Sequence, residues 1–222
     1  MKNMPKKRCL ITGCSGFFGS HLLRHALMNT DWEIVCIVSW KHKGTPERLE
    51  GALKDLDENR VTIIRHDLEA PFTEQTKKRI GKIDYILNIA SNSHVDRSIE
   101  DPRPFVIGNV ELVLTMLEFA REVKPKLFLQ FSTDEVYGPA PKGIDYKEGS
   151  PIKPSNPYSG SKAAQEAIAF SYWRTYDVPV IITNTMNLIG QTQDAEKYPA
   201  KLIRKIYNGE IVTIHGKPDD IG

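Results

Sequence analysis

Gly13-Cys14-Ser15-Gly16-Phe17-Phe18-Gly19 sets three glycines at regular spacing between an apolar run, Arg8–Thr12, and an amphipathic stretch from about Phe17 to Met28. The turn this implies needs unusual backbone angles, and a side chain on it would block close approach by a ligand. A helix starting there offers free N–H groups and the positive end of its dipole to whatever lies in front. The segment reads as the first strand, turn and helix of an α/β sheet and as a cradle for a diphosphate. A tight structural turn is the plainer alternative.

The alternation continues. Glu33–Ser39, Arg60–His66, Ile83–Ala90, Lys126–Ser132 and Val180–Asn184 are apolar runs of strand length, and Arg103–Val123 and Tyr158–Tyr176 read as helices. In the first of these helices Val106, Val110, Val113, Leu114 and Leu117 recur at helical spacing. Strands separated by helices indicate a Rossmann-type, doubly wound parallel sheet with helices on both faces. The Pro- and Gly-rich segment Gly138–Pro157 lies between a strand and a helix, where such sheets place ligand-binding loops. Glu210–Ile214 looks like a further strand, after which the chain stops in a loop composition, Pro218–Gly222. The expected organisation is a dinucleotide-binding domain over residues 1–190 and the start of a truncated substrate-binding region over residues 191–222.

Composition narrows the partners. Thirty Lys plus Arg against 28 Asp plus Glu leaves a net charge of +2, too balanced to argue for nucleic acid. Lys2, Lys6, Lys7 and Arg8 read as a solvated start rather than a targeting signal. No apolar run approaches the roughly 18–20 residues that span a bilayer, so no membrane association is expected. Three cysteines, Cys9, Cys14 and Cys36, suit neither a disulfide framework nor a zinc site and fit a reducing, cytoplasmic setting. His21 and His25 share a helix face, but no third ligand accompanies them, so no metal is expected. Cys14 reads as a small tolerated side chain, and Tyr172, Trp173 and Tyr176 as a packed helix face.

The glycine spacing resembles that of the short-chain dehydrogenase/reductase superfamily, so Gly13, Ser15, Gly16, Phe17, Phe18 and Gly19 are expected at the cofactor. Dinucleotide-binding sheets often end the second strand in a carboxylate that grips the ribose. Here Ser39-Trp40-Lys41 stands in its place, and Lys41 or Lys43 could meet a 2′-phosphate or be plain solvated residues. NAD is the expected cofactor, with NADP left open. The resemblance also implies Asp67-Leu68 near the adenine and the turn Ala90-Ser91 along the cofactor.

Tyr158-Ser159-Gly160-Ser161-Lys162 puts a tyrosine and a lysine on one face of a helix. A neighbouring ammonium and the charge of a nicotinamide favour tyrosinate, so the phenol could take a proton from a sugar hydroxyl near neutral pH. Thr133-Asp134-Glu135 closes the fifth strand, where these sheets keep their chemistry; alone, such a pair of carboxylates is equally an ordinary turn. With Ser93-His94-Val95-Asp96-Arg97-Ser98, Asn109-Val110 and Thr183-Asn184-Thr185-Met186-Asn187, the triplet resembles the dTDP-glucose 4,6-dehydratases from about residue 8 to about residue 215. The resemblance implies catalytic roles for Thr133, Asp134, Glu135, Tyr158 and Lys162. Tyr158 would take the O4 proton as the C4 hydride passes to the nicotinamide, and Thr133 would hold that oxygen. Glu135 would remove the C5 proton and Asp134 would protonate the departing C6 hydroxyl. Asn109, Tyr158 and Lys162 are also expected at the cofactor, and Ser93, His94, Arg97 and Asn187 at the substrate; His94 is equally a structural histidine. A nucleotide-sugar 4,6-dehydratase acting as a homodimer is the favoured reading. A sugar 4-epimerase, needing only Tyr158 and Thr133, and a non-catalytic dinucleotide-binding fragment are the competitors. The sequence does not identify the nucleotide.

Overall fold

The structure is a computed structural model that describes residues 6–41 and 43–212. Six strands, β1 (Arg8–Thr12), β2 (Glu33–Val38), β3 (Val61–Arg65), β4 (Tyr85–Asn88), β5 (Leu127–Thr133) and β6 (Val180–Thr185), form one sheet in the order β3-β2-β1-β4-β5-β6. The pairings are all parallel, so each strand needs a crossover to bring the chain back to the same end. The crossovers are α1 (Phe17–Asn29), α2 (Pro46–Leu53), α3 (Glu74–Ile80), α4 (Val95–Glu100) followed by α5 (Pro102–Val123), and α6 (Pro157–Tyr176).

Alternating side chains of the strands feed two cores. Cys9 and Ile11 of β1 join Leu23 and Leu27 of α1 and Leu49 and Leu53 of α2, whereas Leu10 joins Val113, Met116 and Leu117 of α5 and Ala169 of α6. Burial on both faces explains why the strands read as unbroken apolar runs. The helical spacing in α5 serves two surfaces. Val113 and Leu117 are fully buried, but Val106 and Leu114 are 38% and 42% exposed.

Several boundaries differ from the expected ones for local reasons. The fourth strand, expected over Ile83–Ala90, ends at Asn88 because the Thr12 hydroxyl oxygen accepts the N–H groups of Ile89 and Ala90, each at 2.9 Å. That bends the chain out of the ladder. Helices α3 and α4, of 7 and 6 residues, are too short to display a helical period; each is opened by a side-chain cap, Thr73 and His94. The expected strand Glu210–Ile214 is not formed over residues 210–212. There the Glu210 N–H donates to the Lys205 carbonyl at 2.8 Å and the Lys205 ammonium donates to the Ile211 carbonyl at 3.0 Å. Thr213, Ile214 and Pro218–Gly222 lie outside the described residues, as does Lys2.

The chain divides into two compact units, residues 1–187 and 188–222. The described part of the second holds one helix, α7 (Tyr198–Tyr207), which buries none of its residues. Among the described residues no helix is long and apolar enough to cross a membrane.

Candidate active site

The strand order reverses between β1 and β4, and the loops leaving those strands frame a crevice. Gly13 has φ +73°, and a Cβ there would stand 3.1 Å from the Ala90 Cα. Glycine is required twice over at this position. The α1 helix rests directly on the turn: a Cβ on Gly19 would lie 2.0 Å from the Gly13 carbonyl oxygen. Backbone cannot rotate away as a side chain can. Gly19→Ala is therefore expected to destabilise the protein by about 2–4 kcal/mol, measurable by urea unfolding. Gly16 caps α1 without a side chain over the helix end, and the first turn carries no acidic residue. Ser15 is buried; its carbonyl accepts the Thr45 N–H at 3.1 Å, tying the loop after β2 to the glycine turn. Phe17 meets His21 edge-on, and Phe18 stacks on Phe131 at 4.5 Å between centroids.

Beyond the ends of β2 and β3, the Lys41 ammonium bonds the Asp67 carboxylate. Burial alone would raise Asp67, but the Lys41 hydrogen bond and the Glu69 N–H outweigh it and hold the carboxyl below its ordinary value. The same contact raises Lys41. Leu68 is buried beside them, and the Lys41 N–H donates to the Ser39 hydroxyl at 3.2 Å. Trp40, between them, has φ +57°, an unusual angle for a bulky side chain.

Asn109 is buried in α5, and its side chain shapes the turn after β4. Its Oδ1 accepts from the Asn92 N–H at 2.8 Å and the Ser91 hydroxyl at 3.2 Å. Its Nδ2 donates to the Asn92 carbonyl at 3.1 Å and the Ser161 hydroxyl at 2.8 Å. Those four bonds use the full capacity of an amide.

The reacting candidates come from three elements. Thr133 ends β5, and Asp134–Tyr137 form a 3₁₀ turn directly after it. The Thr133 oxygen accepts the Glu135 N–H at 3.3 Å and its hydroxyl donates to Asp134 Oδ1 at 3.2 Å. Tyr158 lies in the first turn of α6, its N–H donating to the Ser98 hydroxyl of α4 at 3.2 Å. Burial, then the charges of Glu135 and Asp134, push the phenol's ionisation well above the ordinary range.

No hydrogen bond joins Lys162 to the phenol; its ammonium donates to the Phe131 carbonyl and to Gln165 Oε1, each at 2.6 Å. Lys162 is 2% exposed, and burial, opposed by the charge of Glu166, lowers its amine to about 7.

Sequence reasoning missed the layer beneath. Gln165 Oε1 also accepts from Gln130 at 3.0 Å, Gln130 accepts from Asn88 at 2.8 Å, and Asn88 accepts from the Thr12 hydroxyl at 2.9 Å. This amide chain runs from the glycine turn to Lys162. Glu166, four residues after Lys162, accepts from the Ser132 hydroxyl and from Asn184 Nδ2; burial raises its carboxyl in spite of them. The i, i+4 spacing from Lys162 was its one readable signal. At the end of β6, Asn184 is the connected residue, also accepting from the Tyr137 hydroxyl at 3.2 Å. Asn187 is exposed. His94 caps α4, its Nδ1 accepting the Arg97 N–H at 3.4 Å, and Ser93 precedes it at the same loop. Among the described residues no three His, Cys, Asp or Glu side chains are grouped to hold a metal.

A parallel sheet with this order, a glycine turn at the reversal and a Tyr-x-x-x-Lys helix facing the end of β5 define an extended short-chain dehydrogenase/reductase. Within that class, the chain belongs to the GDP-mannose 4,6 dehydratase family, whose model matches residues 10–215. It is 36% identical over 212 residues to the low-salt glycan biosynthesis protein Agl12 of Haloferax volcanii, covering 96% of this chain and 66% of that one. The dTDP-glucose 4,6-dehydratase of Streptomyces venezuelae, solved with NAD bound, superposes with TM-score 0.82 at 31% identity, covering 91% of this chain and 62% of that one. The UDP-glucuronic acid 4-epimerase of Bacillus cereus, in complex with UDP-glucuronic acid and NAD, superposes with TM-score 0.83 at 26% identity, covering 94% and 66%. The chain thus spans slightly under two thirds of the length of these relatives.

Proposed function

We propose that this protein is an NAD-dependent lyase that converts a nucleotide-linked hexose to its 4-keto-6-deoxy derivative. The observation that supports this reading is that the charges of two carboxylates, Glu135 and Asp134 at the end of β5, act on the buried phenol of Tyr158. Oxidation at C4 alone needs one proton acceptor. Elimination of water across C5 and C6 needs a further base and a further acid, and the extra pair supplies both.

The residues present suit a dinucleotide. Gly13, Gly16 and Gly19 leave the start of α1 open to a diphosphate, with Ser15, Phe17 and Phe18 around it. Asp67 and Leu68 would hold the adenine end, and the 90–91 turn braced by Asn109 the nicotinamide end. NAD rather than NADP follows from Lys41, the candidate partner of a 2′-phosphate, being engaged by Asp67. When bound, the nicotinamide supplies the acceptor for hydrogen leaving C4 and its donor at C6. The chain does the rest. Tyr158, whose ionisation the positive charge of a bound oxidised nicotinamide would favour, takes the O4 proton while the Thr133 hydroxyl holds that oxygen, and Lys162 ties α6 to β5 through the Phe131 carbonyl. Glu135 removes the C5 proton, acidified by the 4-ketone, Asp134 delivers one to the departing O6, and Glu135 returns a proton to C5 as hydrogen reaches C6. Ser93, His94, Arg97 and Asn187 are the proposed substrate side.

Incubation with dTDP-, GDP-, CDP- and UDP-linked hexoses tests the reading by mass spectrometry: one of them should lose one water. An isomer of unchanged mass would instead establish an epimerase, the reading that the superposition on a 4-epimerase favours. Unaltered sugar with intact cofactor binding would mark a non-catalytic dinucleotide-binding chain.

A homodimer and a cytoplasmic location complete the proposal. All three cysteines are free and buried, which suits a reducing compartment. On α5 and α6, which pack together, Leu114, Phe170 and Trp173 are 42%, 51% and 45% exposed. Of the expected aromatic face only Tyr172 is packed inward. A helix pair from a second subunit would cover the rest. Introducing Leu114→Glu with Trp173→Glu is expected to turn a sedimenting dimer into a monomer.

A further inference from the structure

Asn156 touches both halves of the candidate site. Its Oδ1 accepts the Ser159 N–H at 2.8 Å, and the Ser159 hydroxyl accepts the Asn156 N–H at 3.2 Å, so it closes a capping box at the start of α6, two residues before Tyr158. Because the oxygen is committed to the helix, the amide nitrogen must point away from it. There Nδ2 donates to Glu135 Oε2 at 3.2 Å. Capping explains the oxygen but not the nitrogen, since serine, threonine or aspartate caps a helix comparably well. Asparagine adds to the cap a group that can donate and cannot accept.

We propose that Asn156 is a positioning residue that aims the Glu135 carboxylate at the sugar by linking it rigidly to the helix that carries Tyr158. This rests on the role given to Glu135 above. The other titratable or charged groups of this corner are Asp134 on the same turn, Tyr158, Lys162 and Glu166 on α6, Tyr137, and Lys153, whose N–H donates to the Val136 carbonyl at 2.9 Å. None of them combines a helix cap with a contact to Glu135.

Two variants separate the cap from the donor. Asn156→Ser keeps the cap and loses the donor; Asn156→Asp keeps the cap and sets a like charge against Glu135. Both should melt within about 2 °C of the parent. Exchange of the C5 hydrogen in deuterated water and kcat should each fall about tenfold in Asn156→Ser and further in Asn156→Asp, with KM little changed. In Asn156→Asp the acid limb of the pH–rate profile should also move to higher pH. Glu135→Gln is measured alongside. Normal exchange in Glu135→Gln would remove the base role itself, whereas lost exchange there with parental rates in both Asn156 variants would overturn this inference alone. A second measurement is independent of turnover: the shifts in urea midpoint caused by Asn156→Ser and Glu135→Ala should not add in the double variant. Additive shifts would overturn the proposal.

Discussion

Replacing Tyr158 with phenylalanine is expected to lower kcat on the nucleotide-hexose substrate by about 10²–10⁴-fold and to leave folding and cofactor affinity nearly unchanged. The substitution removes one oxygen and keeps the ring. The first turn of α6 survives it, because Tyr158 is held there through its backbone N–H to Ser98 rather than through its hydroxyl. The capping box at Asn156 and Ser159 is untouched as well. What disappears is the acceptor for the O4 proton, at a place where Glu135 and Asp134 act on the same phenol. Substrate affinity should change little, since the sugar loses one hydrogen bond out of many. Steady-state kinetics with a defined substrate reads the split directly. A raised KM at parental kcat would assign Tyr158 to ground-state binding instead.

The second large effect is on stability as well as activity. Lys162→Met is expected to lower turnover by at least about 10², yet to make the protein's stability relative to the parent about 4 kcal/mol more favourable at pH 6 than at pH 10. The amine falls from its ordinary 10.5 to about 7 on folding, mainly through burial. Between those values the unfolded chain binds a proton that the folded one does not. Stability from this group therefore rises with pH across that window, and the full penalty stands below about pH 7. The span corresponds to about 5 kcal/mol. Methionine escapes that penalty but leaves the Phe131 carbonyl and Gln165 Oε1 without their donor, at about 1–3 kcal/mol each. The two bonds together cost about 2–6 kcal/mol, so at pH 6 the variant lies between about 1 kcal/mol below and about 3 kcal/mol above the parent, while at pH 10 the penalty has shrunk to about 1 kcal/mol and the lost hydrogen bonds dominate. Urea unfolding at both pH values checks the difference. A stability difference that is the same at pH 6 and pH 10 would mean that Lys162 keeps its ordinary ionisation.

Much of this was legible in the residues, and the parts that were not share a cause. The parallel sheet followed from apolar runs buried on both faces, and Gly13, Gly16 and Gly19 announced the turn by spacing. Tyr158 with Lys162, and Thr133 with Asp134 and Glu135, were visible because their members are local in the chain. Contacts between distant segments were not. Lys41 meets Asp67 because β2 and β3 run in register, Val38 beside Arg65, and carry both residues past the sheet edge together. Read singly, the lysine suggested a phosphate and the aspartate an adenine. Gln130 and Gln165 belong to no local motif, and only the packing of α6 on β5 brings their amides to 3.0 Å. Asn156-Pro157 was readable as a helix start, but its second contact depends on where the 3₁₀ turn at Asp134–Tyr137 places Glu135.

Everything proposed here turns on one sugar being worked on by the phenol and the acidic pair together, with hydrogen moving from C4 to C6 inside a single site. A nucleotide-hexose carrying deuterium at C4 tests this most directly, with the product read by NMR. The account predicts a 4-keto-6-deoxy sugar with the deuterium in its C6 methyl group. Deuterium retained at C4, in an isomerised or unaltered sugar, or released to water would contradict it.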